Sequence, residues 1–279
     1  MTHGLYISAW SSISPEKFTP RYSNISLDFV IIRARVSGRD DSKFTQHRKW
    51  AENQQVESGS LLWGADMFIG YAPGVNSGLK QAQDFWTLIN VGGKTWEIPP
   101  EIDVEHQPKD YNSDGTVRSY WPLPSNFLEN TLQPAVKYLQ DRLGRSPMIY
   151  CSPRIIKEWF SENYTKEPPK WLLECPLHIA HYSVSQPSIR YWKTWYFWQK
   201  TNTVNWPGIS AVCIEEFNGT RSDLKAWCRD PEWQQKSSQP KDPVEGSPQQ
   251  PNNQDLSEVH AKLDQILAEL EGLKWLKRS

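Results

Sequence analysis

The chain has 279 residues, enough for one large domain or two small ones, and its 38% hydrophobic and 23% charged residues are ordinary for a folded globular protein. Lysine and arginine total 31 against 32 aspartates and glutamates; a net charge of −1 offers no phosphate-neutralising surface and argues against a nucleic-acid partner. The aromatic load is the unusual quantity: 15 Trp, 11 Tyr and 9 Phe make 13% of the chain, which suits a face that stacks on ringed ligands such as a sugar polymer.

The chain opens Met-Thr-His-Gly-Leu-Tyr-Ile-Ser, without the basic and apolar regions of a signal peptide. No window approaches the ~18 uninterrupted apolar residues of a membrane span. The expectation is synthesis for the cytoplasm, or exit by a route that needs no signal. Cys151, Cys175, Cys213 and Cys228 show no C-x-x-C spacing, so four free, mostly buried thiols are expected and no metal site. Short apolar runs predict strands at 5–7, 29–33, 61–68, 101–105, 148–150, 177–181, 195–199 and 211–215. Helical patterns predict helices at 46–57, 79–89, 127–143, 153–162 and 222–227. The first half reads as βα units, and the last strands follow one another with little helix between them. That order predicts an α/β domain over 1–229: a distorted, TIM-like β/α barrel of mostly parallel strands whose later helices are missing.

Beyond it, 230–254 is rich in Pro, Gln, Ser and Asn and nearly devoid of aliphatics, the composition of a linker. The segment 255–279 reads as one helix with Leu256, Leu263 and Leu270 at heptad position a and Val259, Ile266 and Leu273 at d. Leucine at a with mostly β-branched d predicts a short coiled coil that makes a homo-oligomer, a trimer first. The alternative is an amphipathic helix folded back on its own domain, and Gly272 weakens either by about 1 kcal/mol relative to alanine.

The segment from Glu101 through Ile102, Asp103 and Val104 to Glu105 alternates acidic and apolar residues with period two. On a strand, Ile102 and Val104 face one layer while Asp103 and Glu105 face the other, roughly 6.6 Å apart along the chain. Two carboxylates on one face are costly unless solvated or used. Alone, D-x-E is a weak signal and reads better as an exposed edge strand with a polar face.

Several segments in fixed order change that weighing. Residues 4–228 resemble family 25 of the glycoside hydrolases, the Chalaropsis-type lysozymes. Gly4-Leu5-Tyr6-Ile7-Ser8-Ala9-Trp10 is similar to the opening G-I-D-V-S-x-W strand, and Asp28-Phe29-Val30-Ile31-Ile32-Arg33-Ala34 to the second. Trp63-Gly64-Ala65-Asp66-Met67-Phe68 stands where the family has G-A-Y-H-F, and Ile102-Asp103-Val104-Glu105 matches its D-x-E strand. Ile179-Ala180-His181-Tyr182, Phe197-Trp198-Gln199 and Phe217-Asn218-Gly219-Thr220 match the closing strands and last turn. The resemblance implies hydrolysis of the β-1,4 bond after N-acetylmuramic acid in bacterial peptidoglycan, without a cofactor. It implies Glu105 as the general acid and Asp103 as the acid that orients the substrate acetamide or the attacking water.

The resemblance has gaps inside the site. Tyr6 and Cys213 stand where the family has two further aspartates, His178 replaces the tryptophan of W-I-A, and Lys200 replaces an aromatic. Two readings follow. In one the site is rewired, with Asp66 and Glu215 restoring negative charge. In the other it is silenced and the fold serves as a wall-glycan binder or a structural part of a phage tail or baseplate. Lys200, if it points inward, would hold Glu105 ionised. Trp10, Tyr150, Tyr182 and Trp198 fall near strand ends as candidates for stacking on sugar rings, with Tyr6, Asp66 and Glu215 as further substrate contacts. Glu216, Asp223 and Lys225 are expected on a solvated face or at a helix start. The stretch 107–125 is expected as a lid over the glycan groove or as a passive insertion. A wall-directed domain joined to an oligomerising tail points to a phage product, made in the host cytoplasm and then carried in the virion, beside tail proteins, or released to the wall.

Overall fold

The computed structural model describes residues 1–58, 61–163, 165–202 and 204–230. The predicted coiled-coil helix at 255–279, with its six heptad positions, and all of the predicted linker except Asp230 lie outside the described residues.

Eight strands close into a ring in simple chain order: β1 (Thr2–Ile7), β2 (Ile25–Val36), β3 (Leu62–Phe68), β4 (Glu101–Asp103), β5 (Met148–Cys151), β6 (Leu177–Ala180), β7 (Phe197–Gln199) and β8 (Ile209–Phe217). Each strand from β1 to β7 pairs in parallel with the next. β8 runs the other way, antiparallel to both β7 and β1, and closes the barrel. The helices α1 (Phe44–Ser58), α2 (Gly78–Ile89) and α3 (Gln133–Leu143) belong to the first half, and α4 (Arg221–Arg229) follows β8. Between β5 and β8 the described residues hold only short helical turns, at Pro153–Ile155, Ile156–Phe160 and Lys170–Leu173.

Strand alternation sorts the side chains into two layers. Outward residues such as Leu5, Val30, Ile32, Trp63, Met67, Ile102, Ile149, Ile179 and Trp198 join the buried cluster beneath the helices. Inward residues at the amino end of the barrel are apolar: Phe29, Ile31, Met148, Phe197 and Phe217 pack together, and Trp227 of α4 plugs them from below. Gly4 is required here, because a Cβ on it would lie 2.2 Å from the Phe29 ring. The Thr220–Asp223 capping box starts α4, so Asp223 is the helix-start charge its position suggested.

The mouth is held by side chains bonded to backbone. Gln81 of α2 accepts from Gly70 N and donates to Gly70 O and Asn76 O, fixing the loop after β3. Gln107 accepts from the N–H groups of Tyr71 and Ala72 at 2.8 and 2.9 Å, and its own N–H donates to the Tyr71 hydroxyl. These bonds seat a two-stranded hairpin, Pro108–Tyr111 with Val117–Tyr120, beside the end of β4. The stretch 107–125 therefore contains a hairpin anchored at the rim.

Candidate active site

β4 ends at Asp103, earlier than the predicted 105, and Glu105 stands two residues beyond it at the carboxyl ends of the strands. Val104 N donates to Tyr150 O, keeping this extension in line with β5. Glu101 and Asp103 point into the barrel, while Ile102 and Val104 join the outer cluster. Glu105 is half-buried and lines a cleft of about 430 Å³ with Ser152, Arg154, His181 and Tyr182.

Burial pushes the Glu105 carboxyl above the usual range, and the Arg33 guanidinium opposes that shift. Asp103 is pushed well above it, by burial first and then by the carboxyls of Glu105, Asp66 and Glu101. Its Oδ1 is buried without a hydrogen-bond partner. Arg33 of β2 leans on Asp41, Nε to Oδ2 3.0 Å, and its charge opposes the upward shift of both acids. Sequence reading missed it as a site residue. The signal was available, since Arg33 continues the inward series of Phe29 and Ile31.

The two substituted positions face one another across the β1–β8 pairing, Tyr6 opposite Cys213. The Tyr6 hydroxyl donates to Asp66 Oδ2 at 2.6 Å, and burial beside that carboxyl holds it well above the normal phenol range. The Cys213 thiol is pushed up to about 12 by burial and by Glu215 and Glu105. Both positions present neutral groups near pH 7.

Below them lies a buried ionic layer. His178 sits between two carboxylates, Nδ1 to Glu101 Oε2 2.7 Å and Nε2 to Glu215 Oε2 2.7 Å. All three residues are fully buried. Burial alone would push the imidazole down, but Glu101 and Glu215 hold it up to about 10, so it is charged. Gln199 Nε2 donates to Glu215 Oε1 at 2.9 Å, and its Oε1 accepts from the hydroxyls of Tyr150 at 3.0 Å and Tyr182 at 2.5 Å. Glu101 and Gln199 were not singled out from sequence. E-x-D-x-E already placed Glu101 on the face of Asp103 and Glu105.

Several expected contacts are corrected by this geometry. Asp66 and Glu215 are fully buried, the first bonded to Tyr6 and the second to His178, so neither reaches a bound sugar. Tyr150 is 6% exposed and lies beneath Tyr182 as support rather than as a stacking surface. Trp198 points outward into the core with its Nε1 donating to His181 O, because β7 turns Phe197 and Gln199 inward instead. Lys200 also points away from Glu105, pairing with Glu216 at 3.0 Å and covering the Trp198 ring. Glu216 is therefore buried between Lys200 and His3 rather than on a solvated face. Trp10, 79% exposed, stands on the loop after β1, which is braced by Ala9 N to Asp41 and Ser11 Oγ to Ala211 O. Among the described residues no cluster of His, Cys, Asp or Glu has the arrangement of a metal site, and no helix is long and apolar enough to cross a membrane.

The profile of Glycosyl hydrolases family 25 matches residues 7–209. No curated relative matches the chain. Among solved structures, the lysozyme of Streptomyces coelicolor is 22% identical, with a TM-score of 0.59 over 81% of this chain and 96% of that one. The muramidase of Acremonium alcalophilum is 24% identical, with a TM-score of 0.59 over 82% and 99%. The modular autolysin LytC of Streptococcus pneumoniae, solved with a synthetic peptidoglycan ligand, is 15% identical with a TM-score of 0.56 over 77% of this chain and 46% of that one. These likenesses share the fold seen here. With the family match running from the first barrel strand to the start of the last, the chain belongs to glycosyl hydrolases family 25.

Proposed function

We propose that this chain is a muramidase that hydrolyses the β-1,4 bond after N-acetylmuramic acid in peptidoglycan. The observation that carries this reading is the placement of Glu105: it lies at the strand ends, on the wall of the cleft, with its carboxyl raised by burial and Asp103 directly below. A sugar leaving as an oxocarbenium-like species needs a proton donor and a second carboxyl close by, and Glu105 and Asp103 stand where these are needed. Glu105 gives its proton to the departing glycosidic oxygen. Asp103, whose Oδ1 has no protein partner, receives the acetamide N–H or the attacking water. The peptidoglycan ligand of the LytC structure supports the substrate class.

The test is muropeptide release from purified sacculi. Wild type should release reducing sugar, and Glu105→Gln should lower the rate by about 10² or more, the usual contribution of a general acid. Intact sacculi with folded wild type, on walls from several bacteria, would overturn the enzyme reading. One observation favours the silenced alternative, a wall-glycan binder or structural part: the β1 and β8 positions facing the pit are the neutral Tyr6 and Cys213. That alternative predicts sacculus binding without release and indifference to Glu105→Gln.

We further propose a phage-encoded product, a released lysin or a tail component, that oligomerises through Leu256, Val259, Leu263, Ile266, Leu270 and Leu273. The heptad spacing supports the oligomer. Light scattering should give a trimer for the full chain and a monomer after deletion from Asp255; a monomeric full chain overturns the oligomer.

A further inference from the structure

We propose that His178, Glu215 and Gln199 form a buried positioning relay that fixes the direction of the Tyr182 hydroxyl, so that the cleft presents Tyr182 as a hydrogen-bond acceptor to an N–H or O–H of a bound sugar. The inference rests on the glycan-binding reading above and names how the cleft wall selects what it binds.

The relay follows from the polarity of each group. His178 is charged and donates through both ring nitrogens, so Glu215 Oε2 accepts. A carboxylate has no hydrogen to give, and its remaining oxygen, Oε1, must also accept. The amide hydrogen that meets it belongs to Gln199 Nε2, 2.9 Å away. An amide carries donors at one end and an acceptor at the other, so once Nε2 faces Glu215 the Gln199 carbonyl must face the tyrosines. Both hydroxyls reach it, Tyr150 at 3.0 Å and Tyr182 at 2.5 Å. A phenol has a single hydrogen, and Tyr182 spends its own on Gln199. Tyr150 also approaches Tyr182, whose oxygen keeps a further lone pair. Tyr182 is 40% exposed and lines the cleft with Glu105, so that lone pair is what it offers a ligand. Every member between His178 and Tyr150 is buried, so no water competes for the setting.

This arrangement explains why the barrel keeps a buried charge layer at all. Three ionisable groups in a closed core are expensive unless they are mutually satisfied. Glu101, His178 and Glu215 satisfy one another, and what they deliver upward is a fixed direction for the amide of Gln199. None of the three touches the cleft. They act through Gln199 and are positioning residues.

The experiment uses the full chain carrying Glu105→Gln, so that binding is read without cleavage, and measures retention on insoluble peptidoglycan sacculi. Into that parent go Tyr182→Phe, Glu215→Gln and the pair together, with thermal melts alongside. Glu215→Gln keeps the shape and, through its carbonyl, the His178 bond, but directs amide hydrogens at Gln199. Gln199 must then turn over and give its NH₂ to the tyrosines, which rotates the Tyr182 hydrogen into the cleft. Each single change should weaken retention by about three- to tenfold, the worth of one neutral hydrogen bond, and the pair should weaken it no further. A merely structural Glu215 would instead lower the melting point and add its loss to that of Tyr182→Phe. Losses that multiply, or a folded Glu215→Gln variant that binds like the parent, overturn the relay. If Glu215→Gln does not fold, Gln199→Met provides the second route: it removes the carbonyl, frees the Tyr182 hydrogen, and should reproduce the loss, and parental binding by that variant also overturns the relay. A parent that sacculi do not retain at all overturns the glycan-binding reading and this inference with it, whereas a retained parent with indifferent variants overturns the relay alone.

Discussion

Arg33 is a cation whose field reaches both carboxyls of the proposed catalytic pair, Asp103 and Glu105. It opposes the upward shifts of both Asp103 and Glu105 that burial imposes. The two carboxyls lie on one strand extension and titrate as a pair, so the limbs of a pH–rate profile belong to both. Removing a cation disfavours each carboxylate and raises both pKa values. Arg33→Gln should therefore move both limbs of muropeptide release to higher pH, by up to about one unit. Profiles from about pH 4 to 9 would show it, and a shift downward would remove Arg33 from this role. At this scale the sequence was legible only where periodicity spoke. D-x-E and its orientation follow from alternation, as do the inward positions of Tyr6, Asp66 and Cys213. What alternation cannot give is depth. Glu215 shares a face with Cys213, yet the antiparallel course of β8 carries it away from the mouth and down to His178. Trp198 reads as a strand-end aromatic, but the inward series on β7 belongs to its neighbours Phe197 and Gln199.

The elements were read with nearly correct limits, and their exceptions have local causes. The single helix predicted over 127–143 is a π-type turn at Leu128–Leu132 followed by α3. Pro134 has no N–H to give the carbonyl one turn back, so the regular ladder cannot run through it. The 107–125 stretch could not be resolved from sequence because its turn signal, Asn112-Ser113-Asp114-Gly115, says nothing of where a hairpin docks. Docking is set by one side chain. Gln107 caps the N–H groups of Tyr71 and Ala72, and its backbone carbonyl accepts from Trp121 N on the returning strand. Gln107→Leu would leave two backbone donors in a partly buried rim without an acceptor. The expected cost is about 2 kcal/mol or more, read as a lower urea midpoint at unchanged slope. A change within a few tenths of a kcal/mol would mean that water replaces the amide there.

Ring order follows from βα units in sequence, and the reversal of β8 was written in a loop length. Only residues 200–208 separate β7 from β8, too few for a parallel crossover, which takes about a dozen or more. Closing the ring with a reversed strand brings Glu215 beside His178 and seals an acidic, proton-holding interior. That interior sets how the whole molecule responds to pH. Asp66, Glu101, Asp103 and Glu105 all have carboxyls raised by burial, and His178 is raised to about 10. Each such group binds its proton more tightly folded than unfolded. Its stabilisation is complete below the unfolded pKa and is lost as pH climbs through the folded one. His3, His47 and His106 are shifted down by burial and act in the opposite sense, favouring the folded state as pH rises through the ordinary imidazole range. Above that range their contribution is constant, and the raised groups still titrate, joined toward about pH 9 by the buried thiols of Cys175, Cys213 and Cys228, each pushed up to about 12 by burial. The melting temperature should therefore fall steadily from about pH 7 to 10, the window over which His178 gives up its proton. Glu101→Gln removes one of the carboxylates that hold the imidazolium, lowers its folded pKa and should flatten that decline. Thermal melts of the two proteins across the window decide it. The thiols do not titrate below about pH 8, so a melting temperature that climbs from about pH 7 to 8, or a decline equally steep over that interval in Glu101→Gln, would mean that the buried imidazole is neutral and that the ionic layer does not govern the barrel's stability.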